Sequence, residues 1–159
     1  GVLCFRGPNI FSGYWRTQQK TREVLDDAGW FKTGDLGRID EEGFLWIEGR
    51  CSRFSKIGGE MIPHGRIEEE IIDILGLCTT NDLSIAIISV SDEKKGERLI
   101  LFSSVECDLK NINHSLKQRG VSNLWMPKEL ILVNQIPVLS TVKINWSAIR
   151  SFVKDKKSS

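Results

Sequence analysis

The sequence offers little that would tie it to nucleic acid, to a membrane or to a metal. Neither sign of charge dominates, since 22 Lys and Arg stand against 21 Asp and Glu for a formal net charge of +1. That leaves no basic excess or lysine-rich arm for nucleic acid, and no such partner is expected. The longest apolar run, Ile85 to Val90 with Ser89 inside it, falls far short of the roughly 20 residues that a spanning helix needs. The opening GVLCFRG has no basic segment ahead of an apolar one, so no secretory leader is expected there. Cysteines are scattered at Cys4, Cys51, Cys78 and Cys107, without a CxxC pair, and there are only two histidines. A zinc site is therefore not expected, and the cysteines read as reduced thiols of a cytosolic protein. No internal repeat or low-complexity tract is visible.

What remains is an ordinary globular composition, 40% hydrophobic and 27% charged over 159 residues, enough for one domain or two small ones. The first fifty residues read differently from the rest. Val2 to Arg6 is a short strand, Gly7 to Asn9 a turn, and Arg16 to Leu25 a polar helix with few apolar anchors. Leu36 to Asp40 and Phe44 to Glu48 form a hairpin across Glu41, Glu42 and Gly43, where glycine accepts a positive φ. These strands have no helix long enough to close a core around Phe44 and Trp46, and they read as a piece of a larger sheet.

Beyond Gly49-Arg50 the pattern becomes that of a compact α+β domain. Phe54 to Ile57 is a strand and Gly58-Gly59 a turn. Gly65 to Leu77 is a helix on which Ile67, Ile71, Ile74 and Leu75 share one face. Ser84 to Ser91 and Arg98 to Val105 are strands around the turn Asp92 to Glu97. Asp108 caps a helix that runs to Arg119 and stops at Gly120. Lys128 to Val133 is a strand, Pro137 to Lys143 a loop or ribbon, and Trp146 to Val153 a final helix. The apolar residues of that helix are expected to pack on the domain's own sheet. Lys154 to Ser159 read as a solvated tail.

Three stretches carry chemistry. In Trp30 to Asp40, WFKTGDLGRID, Asp35 follows a glycine and leads into a strand; a carboxylate there can accept two hydrogen bonds from a cis-diol such as a ribose. In Gly49 to Ile62, GRCSRFSKIGGEMI, an arginine follows a glycine at a strand end and a double glycine gives a permissive backbone. In Ile136 to Asn145, IPVLSTVKIN, a proline-led loop delivers one lysine, a compact charge suited to a carboxylate or phosphate. Each alone is unremarkable. A TGD is usually a turn, a double glycine a bend, and a loop lysine solvated.

In series these stretches resemble the adenylate-forming superfamily of acid ligases, the acyl-CoA synthetase type, and Gly1 to Trp15 is similar to the segment that precedes the TGD motif there. Within that superfamily, Arg53 to Ile62, the Lys95-Gly96-Glu97 turn and Ile136 to Leu139 resemble one subfamily in particular. It is the acyl-[acyl-carrier-protein] synthetase half of a bacterial bifunctional 2-acylglycerophosphoethanolamine acyltransferase. The resemblance implies activation of a fatty acid by ATP and magnesium to an acyl adenylate. Transfer to the phosphopantetheine thiol of coenzyme A or of acyl carrier protein then follows. It assigns Asp35 and Arg50 to the ribose of AMP, and Lys143 to the substrate carboxylate and α-phosphate. Gly58 and Gly59 form the loop past which the pantetheine arm runs, and Ser52 is the hinge.

The same resemblance implies that residues 1–50 close a large AMP-binding domain and that residues 51–159 form a small mobile lid with an antiparallel sheet and flanking helices. The N-terminal AMP-binding domain is then a partner of this segment. The isolated chain, which has no phosphate loop, is expected to be an inactive piece with no cofactor of its own. A cytoplasmic location is implied, with peripheral attachment to the inner membrane through the acyltransferase. Two residues depart from the family pattern. Ser52 stands where Asp or Lys is usual, and Val142 stands where a glycine usually precedes the lysine. Both favour the competing reading, a binding or regulatory module that kept the fold and lost catalysis.

Overall fold

The structure is a computed structural model describing residues 1–77 and 83–157, with the side chains of 154–157 excepted. Two units make up the chain, Gly1–Phe54 and Ser55–Ser159. In the first, strands β1 (Val2–Phe5), β2 (Phe31–Ile39) and β3 (Leu45–Arg50) form an antiparallel sheet in the order β1-β2-β3. Helix α1 (Gln18–Val24) buries no residue, as its polar sequence predicts. The β2–β3 hairpin closes at Asp40. Its Oδ1 accepts hydrogen bonds from the backbone N–H groups of Glu42 (3.1 Å) and Phe44 (2.8 Å), and Gly43 sits at φ 88°. Both features are those of an Asx turn with a left-handed exit.

Strand β2 begins at Phe31, five residues ahead of the expected Leu36, because Phe31 and Lys32 pair with Phe5 and Cys4 of β1. Asp35 therefore lies inside a strand and not before one. Register shifts between Leu36 and Gly37, and the glycine is required there: a Cβ on Gly37 would stand 2.5 Å from the Trp46 carbonyl oxygen. Gly37 is also the one buried residue among those described in this unit, while Ile39, Phe44, Leu45, Trp46 and Ile47 are all exposed. Hydrophobic strands without a core of their own are what the sequence predicts for residues 36–48.

The second unit holds the core. Strands β4 (Phe54–Ile57) and β5 (Glu60–Pro63) pair around Gly58-Gly59 and lead into helix α2 (His64–Ile74). Strands β6 (Ile85–Asp92) and β7 (Gly96–Ser103) form an antiparallel hairpin, and helix α3 (Leu109–Gln118) connects to β8 (Glu129–Leu132). The last strand runs parallel to β7, so the sheet β6-β7-β8 is mixed. Helix α4 (Trp146–Lys157) ends the described chain. It carries helical backbone into the expected tail, and residues 158 and 159 lie outside the described residues, as does Cys78.

Alternation along the strands explains the packing. On β6, Ile85 and Ile87 join Ile67 and Ile71 of α2 and Ile112 and Leu116 of α3 in one cluster. Ala86 and Ile88 point the other way, to Ile149 and Val153 of α4. A strand covered on both faces has no polar face to alternate with, hence the unbroken apolar run in its sequence. Each fully buried Ile or Leu contributes on the order of 1.5–3 kcal/mol. Helix α3 starts where expected: the Asp108 carboxylate accepts from the backbone N–H of Lys110 and Asn111, at 3.3 and 3.2 Å. Gly120, at φ 80°, ends it. Strand β5 has no counterpart in the sequence reading. Only Ile62 among its four residues is fully buried, too little pattern to read.

Candidate functional site

Asp35 and Arg50 occupy directly paired positions on β2 and β3. Cross-strand partners stand close enough for their side chains to meet, and here Arg50 Nε lies 2.9 Å from Asp35 Oδ1. A second guanidinium nitrogen, Nη1, donates to the Thr33 carbonyl at 3.2 Å, so the arginine bridges the ends of the Thr33-Gly34-Asp35 segment. Thr33 is itself fixed: its hydroxyl donates to the Leu3 carbonyl (3.1 Å) and accepts from the Asp35 N–H (3.0 Å). Gly34 supplies the left-handed φ of 76° that this bend requires. Arg50 is exposed, at 65%, and Asp35 half-buried, at 24%, and a pair that reaches solvent in this way adds only about 0–1 kcal/mol to stability. Its geometry holds a carboxylate open to a ligand, with an arginine setting its orientation.

Ser52 lies in a single 3-10 turn, Cys51–Arg53, that precedes β4. Gly49, ahead of Arg50, takes φ 140° with Phe54 Cε2 only 3.2 Å from where a Cβ would be. The double glycine bridges β4 and β5 with two successive left-handed torsions, φ 58° at Gly58 and 92° at Gly59. A Cβ on Gly58 would meet Leu124 at 3.2 Å, whereas one on Gly59 would meet nothing within 4 Å. One side of the turn is thus packed and the other open. Sequence reasoning missed what grips it. Glu97, on β7, accepts from the Lys56 backbone N–H at 2.7 Å, and the Gly58 N–H donates to the Lys95 carbonyl at 3.4 Å. In the sequence the Lys95-Gly96-Glu97 segment reads as the end of a hairpin turn and as a subfamily likeness, with no sign of this contact.

Lys143 projects from a tight ribbon. The Leu139 N–H donates to the Lys143 carbonyl (2.7 Å), Val142 N–H to Leu139 O (2.9 Å), and Asn145 N–H to Pro137 O (2.8 Å), with Val138 bridged to Ile144. Its side chain is exposed. Val142, immediately before it, sits at φ 57°, a left-handed conformation that β-branched residues strongly disfavour. Glycine meets that requirement at no steric cost, which explains why a glycine suits the place before the lysine. Asp35 and Arg50 are brought together in the first unit. Gly58-Gly59 and Lys143 lie on separate turns of the second.

No family model matches the chain. It is 31% identical to an indoleacetate–CoA ligase of Aromatoleum aromaticum over 98% of its length and 30% of that protein's. To a long-chain-fatty-acid–CoA ligase of Mycobacterium tuberculosis it is 31% identical over 94% of its length and 29% of the relative's. Among solved structures, ATP-bound MatB from Rhodopseudomonas palustris superposes with a TM-score of 0.74 at 31% identity, over 98% of this chain and 30% of that one. The chain therefore spans about three tenths of the length of these relatives. Its relatives and structural neighbours are adenylate-forming acyl-CoA ligases, and its α+β fold matches the C-terminal domains of those enzymes.

Proposed function

We propose that this chain supplies the C-terminal part of an ATP-dependent acid ligase that forms an acyl adenylate and passes the acyl group to a phosphopantetheine thiol. The observation that carries this reading is the Asp35–Arg50 pair, 2.9 Å apart on paired strand positions and open to solvent. A carboxylate so oriented accepts hydrogen bonds from both hydroxyls of a ribose, and Arg50 keeps it aimed. Lys143 meets the acid's carboxylate and the α-phosphate. In-line attack joins the carboxylate oxygen to phosphorus as pyrophosphate leaves, and a cation at the meeting of two anions offsets their repulsion.

Gly58 and Gly59 let the pantetheine arm pass in the second half-reaction, since a bare backbone at Gly59 leaves space. Ser52 is the hinge between an AMP-binding part that ends near residue 50 and a lid over residues 51–159. The exposed Ile39, Phe44, Trp46 and Ile47 support a larger AMP-binding domain as the covering partner, because isolated apolar strands rarely stay bare. Magnesium would enter with ATP; among the described residues no group of three or more His, Cys, Asp or Glu gathers.

The substrate is a fatty acid. Coenzyme A as acceptor is supported by the relatives, which are CoA ligases. The likeness of Arg53–Ile62 to carrier-protein synthetases supports acyl carrier protein, with an acyltransferase partner at the inner membrane. Among the described residues no helix is long and apolar enough to cross a membrane.

The experiment is ATP-dependent adenylation by the full ligase carrying Asp35→Asn or Arg50→Ala. Losing a hydrogen bond to a charged group costs about 1.5–3 kcal/mol, so KM for ATP should rise roughly ten- to a hundredfold. The thermal midpoint should barely move, since Arg50 is exposed and the pair reaches solvent. An unchanged KM for ATP in both variants would reject the assignment. Adenylation that persists unaided in the 159-residue chain would reject its status as a part.

A further inference from the structure

Two consecutive left-handed glycines make a turn that holds its place only through what grips its stems. At Gly58-Gly59 the grip on the β4 stem comes from across the unit. Glu97 is half-buried at the start of β7, and its two carboxylate oxygens do different work. Oε2 accepts the Lys56 N–H at 2.7 Å, two residues before Gly58. Oε1 accepts the Ser89 hydroxyl at 2.8 Å from β6, which locks the carboxylate's rotation. Asp92 completes the support. Its Oδ1 accepts from the N–H groups of Lys94 and Lys95, both at 3.0 Å, and this fixes the turn whose Lys95 carbonyl receives the Gly58 N–H. Leu124 closes against Gly58 from the α3–β8 connection, while Gly59 stays open.

We propose that Glu97 is a positioning residue of the ligase reaction: its carboxylate, bolted to Ser89, holds the Lys56 backbone and so fixes where the glycine turn presents itself to the thiol arm. The proposal rests on the reading of Gly58-Gly59 as the pantetheine passage. Charge-assisted hydrogen bonds to backbone N–H groups are short and directional, and one placed two residues from a flexible turn sets the turn's register as a rigid body. The bond pattern predicts a one-sided defect. Glu97 touches neither Lys143 nor the Asp35–Arg50 pair through any of these bonds, so its loss should spare adenylation and slow acyl transfer.

The test measures both half-reactions separately in the full ligase. Acid-dependent ATP–pyrophosphate exchange reports adenylation, and single-turnover transfer from preformed adenylate to the thiol reports the second step. Hydrogen exchange over residues 56–59 reports the turn itself. In Glu97→Ala, transfer should fall by about tenfold or more, as small misplacements of a reacting group do. Pyrophosphate exchange should stay within about twofold of wild type, and amide exchange at 56–59 should accelerate about tenfold. Glu97→Gln should restore most of the transfer rate, because its amide oxygen still accepts the Lys56 N–H and its NH2 can donate to Ser89. Ser89→Ala, which leaves both acceptors in place, should lie between.

Proportional loss of both half-reactions in Glu97→Ala and Glu97→Gln would overturn the positioning role in favour of a purely structural one. Unchanged amide exchange at 56–59 in Glu97→Ala would overturn it whatever the activities. Wild-type ligase that exchanges no pyrophosphate with any acid would instead overturn the ligase reading, and the amide-exchange result would still decide whether Glu97 holds the turn.

Discussion

At the residue scale the most telling torsion is φ 57° at Val142. An L-residue there costs about 1–2 kcal/mol, and branching at Cβ adds to the crowding. Three backbone hydrogen bonds around the ribbon hold the conformation regardless: Leu139 to Lys143, Val142 to Leu139, and Asn145 to Pro137. The sequence had marked Val142 as a departure from the expected glycine, and the structure supplies the reason a glycine suits the place. Val142→Gly should therefore stabilise the second unit by about 1 kcal/mol, the relief of strain outweighing the entropy of a freer unfolded chain. Urea denaturation would measure it; a loss of stability of similar size would mean that the ribbon does not hold this torsion. Asp35 and Arg50 illustrate the opposite limit. Both were singled out from sequence, yet nothing in the residue pattern revealed the 2.9 Å pairing, because it depends on the register of β2 with β3.

At the element scale the β2–β3 hairpin carries its own pH dependence. The Trp46 indole N–H donates to Asp40 Oδ2 at 2.6 Å and, with the backbone N–H bonds to the same carboxylate, holds Asp40 below the ordinary carboxylate pKa. A carboxylate whose folded pKa is depressed stabilises the fold fully above its unfolded value. That contribution disappears as pH falls through the folded value. Trp46 fluorescence should accordingly be steady from neutral pH to about pH 4 and shift below it, and Asp40→Asn should abolish the shift. A transition of the same size in the variant would assign it to another group.

Elements whose signal is local were legible. Ile67 and Ile71 on one helical face, and Asp108 ahead of α3, placed those helices to within a few residues. Elements defined by distant pairing were not. The early start of β2 at Phe31 comes from β1, nearly thirty residues back, and the four-residue β5 exists only because β4 lies beside it.

At the scale of the whole molecule the two units differ in what holds them. Unit two buries Leu99, Ile100, Leu101 and Phe102 at the centre of its sheet between helices, whereas unit one buries only Gly37 among its described residues. Leu101→Ala should cost about 2–5 kcal/mol, the range for a large-to-small change in a packed core. It should lower the melting midpoint of the second unit by calorimetry; a midpoint within a degree or two of wild type would mean the core is less tightly packed than described. The sequence reading divides the chain near residue 50, and the structure separates its two units after Phe54. The grip of Glu97 on Lys56, forty-one residues earlier, was not legible in the sequence, since no local pattern encodes it.

The proposed role of Lys143 in adenylation stands or falls on acid-dependent ATP–pyrophosphate exchange by the full ligase with Lys143→Ala. Removing a cation from the meeting point of two anions should slow exchange by about a hundredfold or more while leaving the fold intact. Exchange at the wild-type rate would contradict the claim and bring forward the reading of a module that kept the fold without the chemistry.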